Sequence, residues 1–266
     1  MLKKLLKTLL PVFHLLPAGV KLYLRSFKKQ EFELYELYWL VAKGSLAVDI
    51  GANNGAYTFA LSRLVGRDGR IVAIEPIEHL ADYLRRASRQ LHLPVDVKQI
   101  CLSSRDGYAD LVIPLSSKGE LLTGYANLGN HEAVSDSTHC KQHVKLKRLD
   151  DVLADRNRRV SFIKCDVEGH ELEVFKGALD ILKTDRPNLL VEIEQRHLNE
   201  PIDTVLSFFE SQCYRGYFFD QNNKLKEVCE FDVSRHQTSP LESSGDKYIY
   251  NFIFLPMESP SDKDLR

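Results

Sequence analysis

Residues 46–55 read LAVDIGANNG, and residues 56–65 continue as AYTFALSRLV. The first stretch is a short apolar run that ends on Asp49, followed by a turn carrying Gly51, Asn53 and Gly55. In the second, Phe59, Ala60 and Val65 help make an apolar stripe at helical spacing. Farther on, RIVAIEP (70–76) forms a second short strand that closes on Glu75 and is stopped by Pro76. A strand, a glycine turn, a helix and a strand ending on an acid make up a nucleotide-binding α/β unit, whose acid grips ribose hydroxyls.

A dinucleotide site carries G-x-G-x-x-G, because pyrophosphate must approach bare backbone at a helix N-terminus. Here the spacing is G-x-x-x-G and an acid precedes it. Asp49 would repel a pyrophosphate, but it suits a ligand with no phosphate and a positive end. S-adenosylmethionine (SAM), with its sulfonium, ammonium, ribose and adenine, is such a ligand. Gly51 is expected to need positive φ or close approach of the ligand. The glycines alone would fit an ordinary tight connection; Asp49, Gly51, Gly55 and Glu75 together point to a site.

Three segments resemble the FkbM-type SAM-dependent methyltransferases of the class I methyltransferase fold: VDIGANNGAYT (48–58), VAIEP (72–76) and FIKCDVEGHELEVFKGA (162–178). ICLSSRDG (100–107), LTGYANL (122–128) and VKLKRLDDVL (144–153) are weaker echoes. The first motif followed at this distance by DVEGHE makes the resemblance specific, and it covers residues 35 to 255 approximately. Asn53 stands where many class I enzymes have glycine, but GAN is itself characteristic of FkbM-type chains. The resemblance implies a doubly wound, mostly parallel α/β sheet of seven strands, Rossmann-like, with an antiparallel last strand. It also implies SAM as cofactor, held by Asp49, Gly51, Ala52, Asn53, Gly55, Tyr57, Thr58, Glu75, Pro76 and Cys101. The acceptor it implies is a hydroxyl of a sugar, glycan or lipid-linked natural product. The rival readings are N-methylation, a protein acceptor, or a membrane-associated assembly factor without turnover. The intact Asp49, Gly51, Gly55, Glu75 and Asp166 argue against the last.

The chain's 266 residues suffice for one α/β domain with a sizeable core. A net charge of −1 gives no field that favours nucleic acid. Five cysteines without a C-x-x-C pair argue against a disulfide framework and suit a reducing, cytoplasmic compartment.

Three regions are expected: a basic N-terminal extension (1–34), the catalytic domain (35–256) and a polar tail (257–266). Before Glu31 there is no acid, and Leu2, Leu5, Leu6, Leu9 and Leu10 share one helical face. Those leucines either pack on the domain or rest, with the surrounding lysines, on anionic lipid as a peripheral contact through residues 1–29. No apolar run is long enough to span a bilayer.

Later segments alternate strand and helix, as in a doubly wound sheet. VDVKQICLS follows Pro94 as a third strand, and 108–114 and 143–149 read as a hairpin-like addition joined by a long polar connection. His131, His139, Cys140 and His143 crowd that connection but match no complete zinc template, so no metal is assigned.

Ligands bind outside the carboxyl ends of the strands in such sheets, where Asp49, Glu75, Asp166 and Glu192 or Glu194 fall. An alcohol acceptor needs a base near its proton. Asp166 is the first candidate, with Glu192 and His197 behind it. The competing role for Asp166 is to cap the helix that follows. Asp166, Glu192, Glu194 and His197 would also suit a divalent cation; the metal-free reading is preferred.

Overall fold

The computed structural model describes residues 39–128, 139–237 and 248–257. The N-terminal extension with its lipid-contact reading, His131, and the tail beyond Met257 lie outside the described residues.

The main sheet has the strand order β10-β9-β11-β8-β7-β1-β2-β3. In chain order these are β1 (Leu46–Ile50), β2 (Arg70–Ile74), β3 (Val95–Lys98), β7 (Val160–Cys165), β8 (Asn188–Glu192), β9 (Tyr214–Phe219), β10 (Leu225–Glu227) and β11 (Asn251–Pro256). The strands from β8 to β3 run parallel, whereas β11, β9 and β10 pair antiparallel. Among the described residues the sheet therefore has eight strands, not seven. The extra one, β10, is three residues whose side chains are largely exposed, so no hydrophobic pattern marks it.

Both faces of the sheet are covered, and alternate residues feed two cores. Ala47, Ile71, Phe162, Leu190 and Ile253 meet Leu61 and Val65 of α1 (Ala56–Val65). Phe59 of α1 joins Leu84 and Ala87 of α2 (Glu78–Gln90) over Ala73. On the opposite face Val48, Ile163, Val191 and Phe254 pack against Leu149 of α3 (Leu149–Val152) and against helices that follow β7 and β8. ELEVFKGALDIL (171–182) forms two helices, α4 (Glu171–Lys176) and α5 (Leu179–Thr184). The break is at Gly177, where any side chain would run into the carbonyl of Ser103. The helix Ile202–Ser211, α6, closes this face through Phe209, stacked on Phe254 with ring centroids 4.0 Å apart.

A second, three-stranded sheet of order β4-β6-β5 is formed by β4 (Cys101–Leu102), β5 (Gly107–Pro114) and β6 (His139–Lys147). The hairpin-like pairing expected from alternation is present as the antiparallel β5–β6 ladder. The third strand read from sequence is divided: Val95–Lys98 stays in the main sheet while Cys101–Leu102 leaves to pair with β6. His139, Cys140 and His143 lie on β6 rather than in a connection, and His143 Nδ1 is 3.0 Å from Asp110. Leu111, Ile113, Val144 and Leu146 pack on Ile77, just past the end of β2, so the small sheet roofs one end of the crevice.

Candidate active site

The chain runs outward from β1 to β2 and β3, then returns to place β7 on the other side of β1. This reversal of strand order opens a crevice at the carboxyl ends. Two adjoining cavities occupy it, of about 250 and 380 Å³, and Gly51, Asn53, Asp166 and Glu192 line both.

Register determines which side chains meet there. Asp49 pairs with Lys164 across β1 and β7, and Lys164 pairs with Leu190 across β7 and β8. Paired residues of neighbouring strands share a face, as do residues two apart on one strand. Asp49, Lys164, Asp166 and Glu192 therefore project together toward the α1 side. Asp49 is buried and accepts a hydrogen bond from Thr58 Oγ1 at 2.5 Å. Burial raises its pKa to about 6 against that bond and the Lys164 charge.

The glycine turn is built tightly. Gly51 has φ +76°, and a side chain there would overlap the backbone carbonyl of Asp166. Both reasons for glycine apply, but the close approach is by the neighbouring strand end. Asn53, at φ 45°, holds a left-handed position that asparagine tolerates. Gly55 and the fully buried Thr58 lie behind the surface, whereas Ala52 and Tyr57 line the larger cavity.

Glu75 anchors the other cavity. Its Oε2 accepts from the Asn53 amide at 2.7 Å and its Oε1 from the Ile77 amide at 2.8 Å. Burial nevertheless raises its pKa to about 7. Pro76 and Cys101 line the same cavity, and burial pushes the Cys101 thiol up to about 12, which leaves it inert and apolar. Thr123, Gly124 and Ala126–Leu128 cover it from the segment after β5.

The DVEGHE turn divides its acids between structure and cavity. Glu171 is buried and accepts from the Val167 and Gly169 amides at 3.2 and 3.1 Å, so it holds the turn closed. Glu168, at φ 54°, lines the smaller cavity and pairs with His197 Nδ1 at 2.7 Å. That bond raises the His197 pKa against burial. Neither cavity wall includes His197; it orients Glu168 instead of facing the crevice. Asp166 lines both cavities, one third exposed, and makes no cap hydrogen bond to α4. His170, unassigned from sequence, lines the smaller cavity and shares a 3.0 Å hydrogen bond with Ser103. Burial lowers its pKa, so it is neutral near pH 7.

Sequence reasoning passed over Lys164, a buried cation among these strand-end carboxylates. Its Nζ is 3.8 Å from Asp166 and 3.7 Å from Glu192 and sits over the Tyr57 ring, 4.9 Å from the centroid. Burial pulls its pKa down, but the surrounding carboxylates, Asp166 and Glu192 foremost, more than offset this. Burial pushes Glu192 up to about 8, with Lys164 opposing and Asp166, Glu168 and Glu194 reinforcing. The signal was a lysine inside the apolar run VSFIKC, two residues before an acid. Glu194, Arg196, Tyr248 and Tyr250 complete the larger cavity. Among the described residues no His/Cys/Asp/Glu group has the arrangement of a metal site.

The fold has solved counterparts. An FkbM methyltransferase from Methylobacillus flagellatus superposes with a TM-score of 0.50 at 16% identity, over 93% of this chain and 59% of that one. This chain thus spans less than two thirds of that protein's length. A SAM-dependent O-methyltransferase from Thermotoga maritima aligns at 12% identity and a TM-score of 0.44, over 91% of this chain and 73% of that one. At 16% identity the likeness to the Methylobacillus protein concerns the fold alone. No curated protein matches the sequence. The methyltransferase FkbM domain model matches residues 49–219, from Asp49 near the end of β1 to the last residue of β9. The matched span contains the glycine turn, Glu75, Lys164 and the whole DVEGHE turn, and by it the chain belongs to the FkbM methyltransferase family.

Proposed function

We propose that this chain transfers a methyl group from SAM to a hydroxyl of a sugar, glycan or lipid-linked acceptor. The observation that carries the reading is the placement of Asp49 and Glu75 at adjacent strand ends, on either side of a glycine turn whose residues line both cavities. The residues fit the cofactor. Glu75, with Ile77, Cys101 and Leu102 around it, offers a carboxylate for ribose hydroxyls and an apolar slot for adenine. Asp49, Asp166 and Glu192 give the other cavity the acidic character that an ammonium and a sulfonium require.

SAM, when bound, supplies a methyl group on a positively charged sulfur. The protein's part is to line up an acceptor oxygen and take its proton. In this reading Asp166 takes the proton, supported by its partial exposure, its place on both cavity walls and its position beside Lys164. Glu192 stands on the other side of Lys164. The acceptor class is supported by the family resemblance. Calorimetry of the full chain with SAM tests the cofactor; NAD binding without SAM binding overturns it. Mass spectrometry of candidate glycans and lipid-linked sugars after incubation with protein and SAM tests the acceptor; methylated amines in place of methylated hydroxyls overturn it.

A further inference from the structure

Two carboxylates and one ammonium meet where the cavities join. Lys164 is 1% exposed, and its Nζ lies 3.8 Å from Asp166 Oδ2 and 3.7 Å from Glu192 Oε2. Asp49 faces this trio from β1, Glu168 from the turn after β7, and Glu194 and Arg196 from beyond β8. Tyr57 of α1 and Tyr248 and Tyr250 ahead of β11 complete the surroundings. Arg196 donates to Glu194 at 2.9 Å, which leaves Lys164 facing Asp49, Asp166 and Glu192. Crowding by these carboxylates disfavours the charged form of the buried Glu192, against the pull of Lys164.

We infer that Glu192, tied through Lys164 to Asp166, holds a proton in the free protein, that this proton leaves when a cationic cofactor enters the larger cavity, and that the acceptor's hydroxyl proton later replaces it. The inference rests on the SAM reading above. The upward push on Glu192 agrees with it in direction.

The step balances. The S–CH₃ bond breaks with its electron pair left on sulfur, the O–CH₃ bond forms, and the hydroxyl proton ends on Glu192. The cofactor's charge disappears in the same step, so Glu192 is left again with Lys164 as its cationic neighbour. Protein with the neutral sulfide product bound then carries the same proton as free protein. Glu192 is emptied by cofactor charge and refilled by the acceptor, which couples the cluster's readiness to accept a proton to occupancy of the site. Lys164 is here a positioning residue: it acts through the two carboxylates it holds together.

The test is calorimetry of the full chain near pH 7 in two buffers of different ionisation enthalpy, which counts protons released on binding. SAM is compared with S-adenosylhomocysteine, which lacks the sulfonium charge. SAM is expected to release about one proton more than S-adenosylhomocysteine. In Glu192→Gln, which keeps the shape of the side chain, both ligands bind, SAM more weakly for the lost carboxylate, and the difference disappears. Equal proton counts for the two ligands in the wild type overturn the inference and leave the cofactor reading intact. A difference that persists in Glu192→Gln also overturns it. Failure of SAM to bind removes the cofactor reading and this inference with it.

Discussion

The backbone carbonyl of Asp166 occupies the space that any side chain at Gly51 would need. The end of β7 thereby locks onto the turn after β1, and the Asp166 amide donates to the Ile50 carbonyl at 3.1 Å. Gly51→Ala combines this overlap with a left-handed backbone position, and is expected to cost about 2–5 kcal/mol of stability. Urea unfolding checks this; a variant that keeps full stability and loses only ligand binding contradicts it.

Glu75 has two tasks. Its oxygens hold the Asn53 and Ile77 amides in place, and each keeps a lone pair for a ligand hydroxyl. Glu75→Gln sets an amide N–H₂ against one of those backbone donors. It is expected to lose about 1–3 kcal/mol of stability and to weaken SAM binding by about 1.5–3 kcal/mol. Calorimetry and thermal unfolding read the two effects separately.

Stability is expected to fall as pH rises. Asp49, Glu75, Glu171 and Glu192 have folded pKa values raised by burial to about 6, 7, 7 and 8. In the unfolded chain these groups ionise near pH 4. Between those limits the native state binds more protons than the unfolded state, so stability is full below the unfolded values and is lost through pH 6–8. The loss is on the order of a few kcal/mol. Unfolding at pH 5, 6.5 and 8 checks the sign; stability that increases across this range contradicts it.

Asp166 makes no cap hydrogen bond to α4, and the turn is held by Glu171. Asp166→Asn is therefore expected to fold and bind SAM while losing roughly 10²–10⁴ in turnover of the acceptor found by mass spectrometry. Unchanged turnover moves the base to Glu192.

The seven basic residues before Glu31 are expected to carry the full chain onto anionic vesicles at low salt. Flotation that is unchanged in a chain beginning at Gln30 removes this reading. Among the described residues no helix is long and apolar enough to cross a membrane.

The sequence by itself determined the local units. LAVDI and AYTFALSRLV form elements with the bounds that their patterns imply, because strand and helix periods are short-range properties. The strand-end acids were legible for the same reason: a residue's place at the end of an apolar run is written next to it. Tertiary structure decided what those acids meet. Lys164 is apart in sequence from both Asp49 and Glu192, and only the β1–β7–β8 register puts the three on one face. His197 lies 2.7 Å from Glu168 because the turn after β8 folds back on DVEGHE, a contact between two segments remote in sequence. Cys101–Leu102 leaves the main sheet because β6, remote in sequence, offers it a partner. Pairings between distant segments depend on the assembled backbone, and no local pattern encodes them.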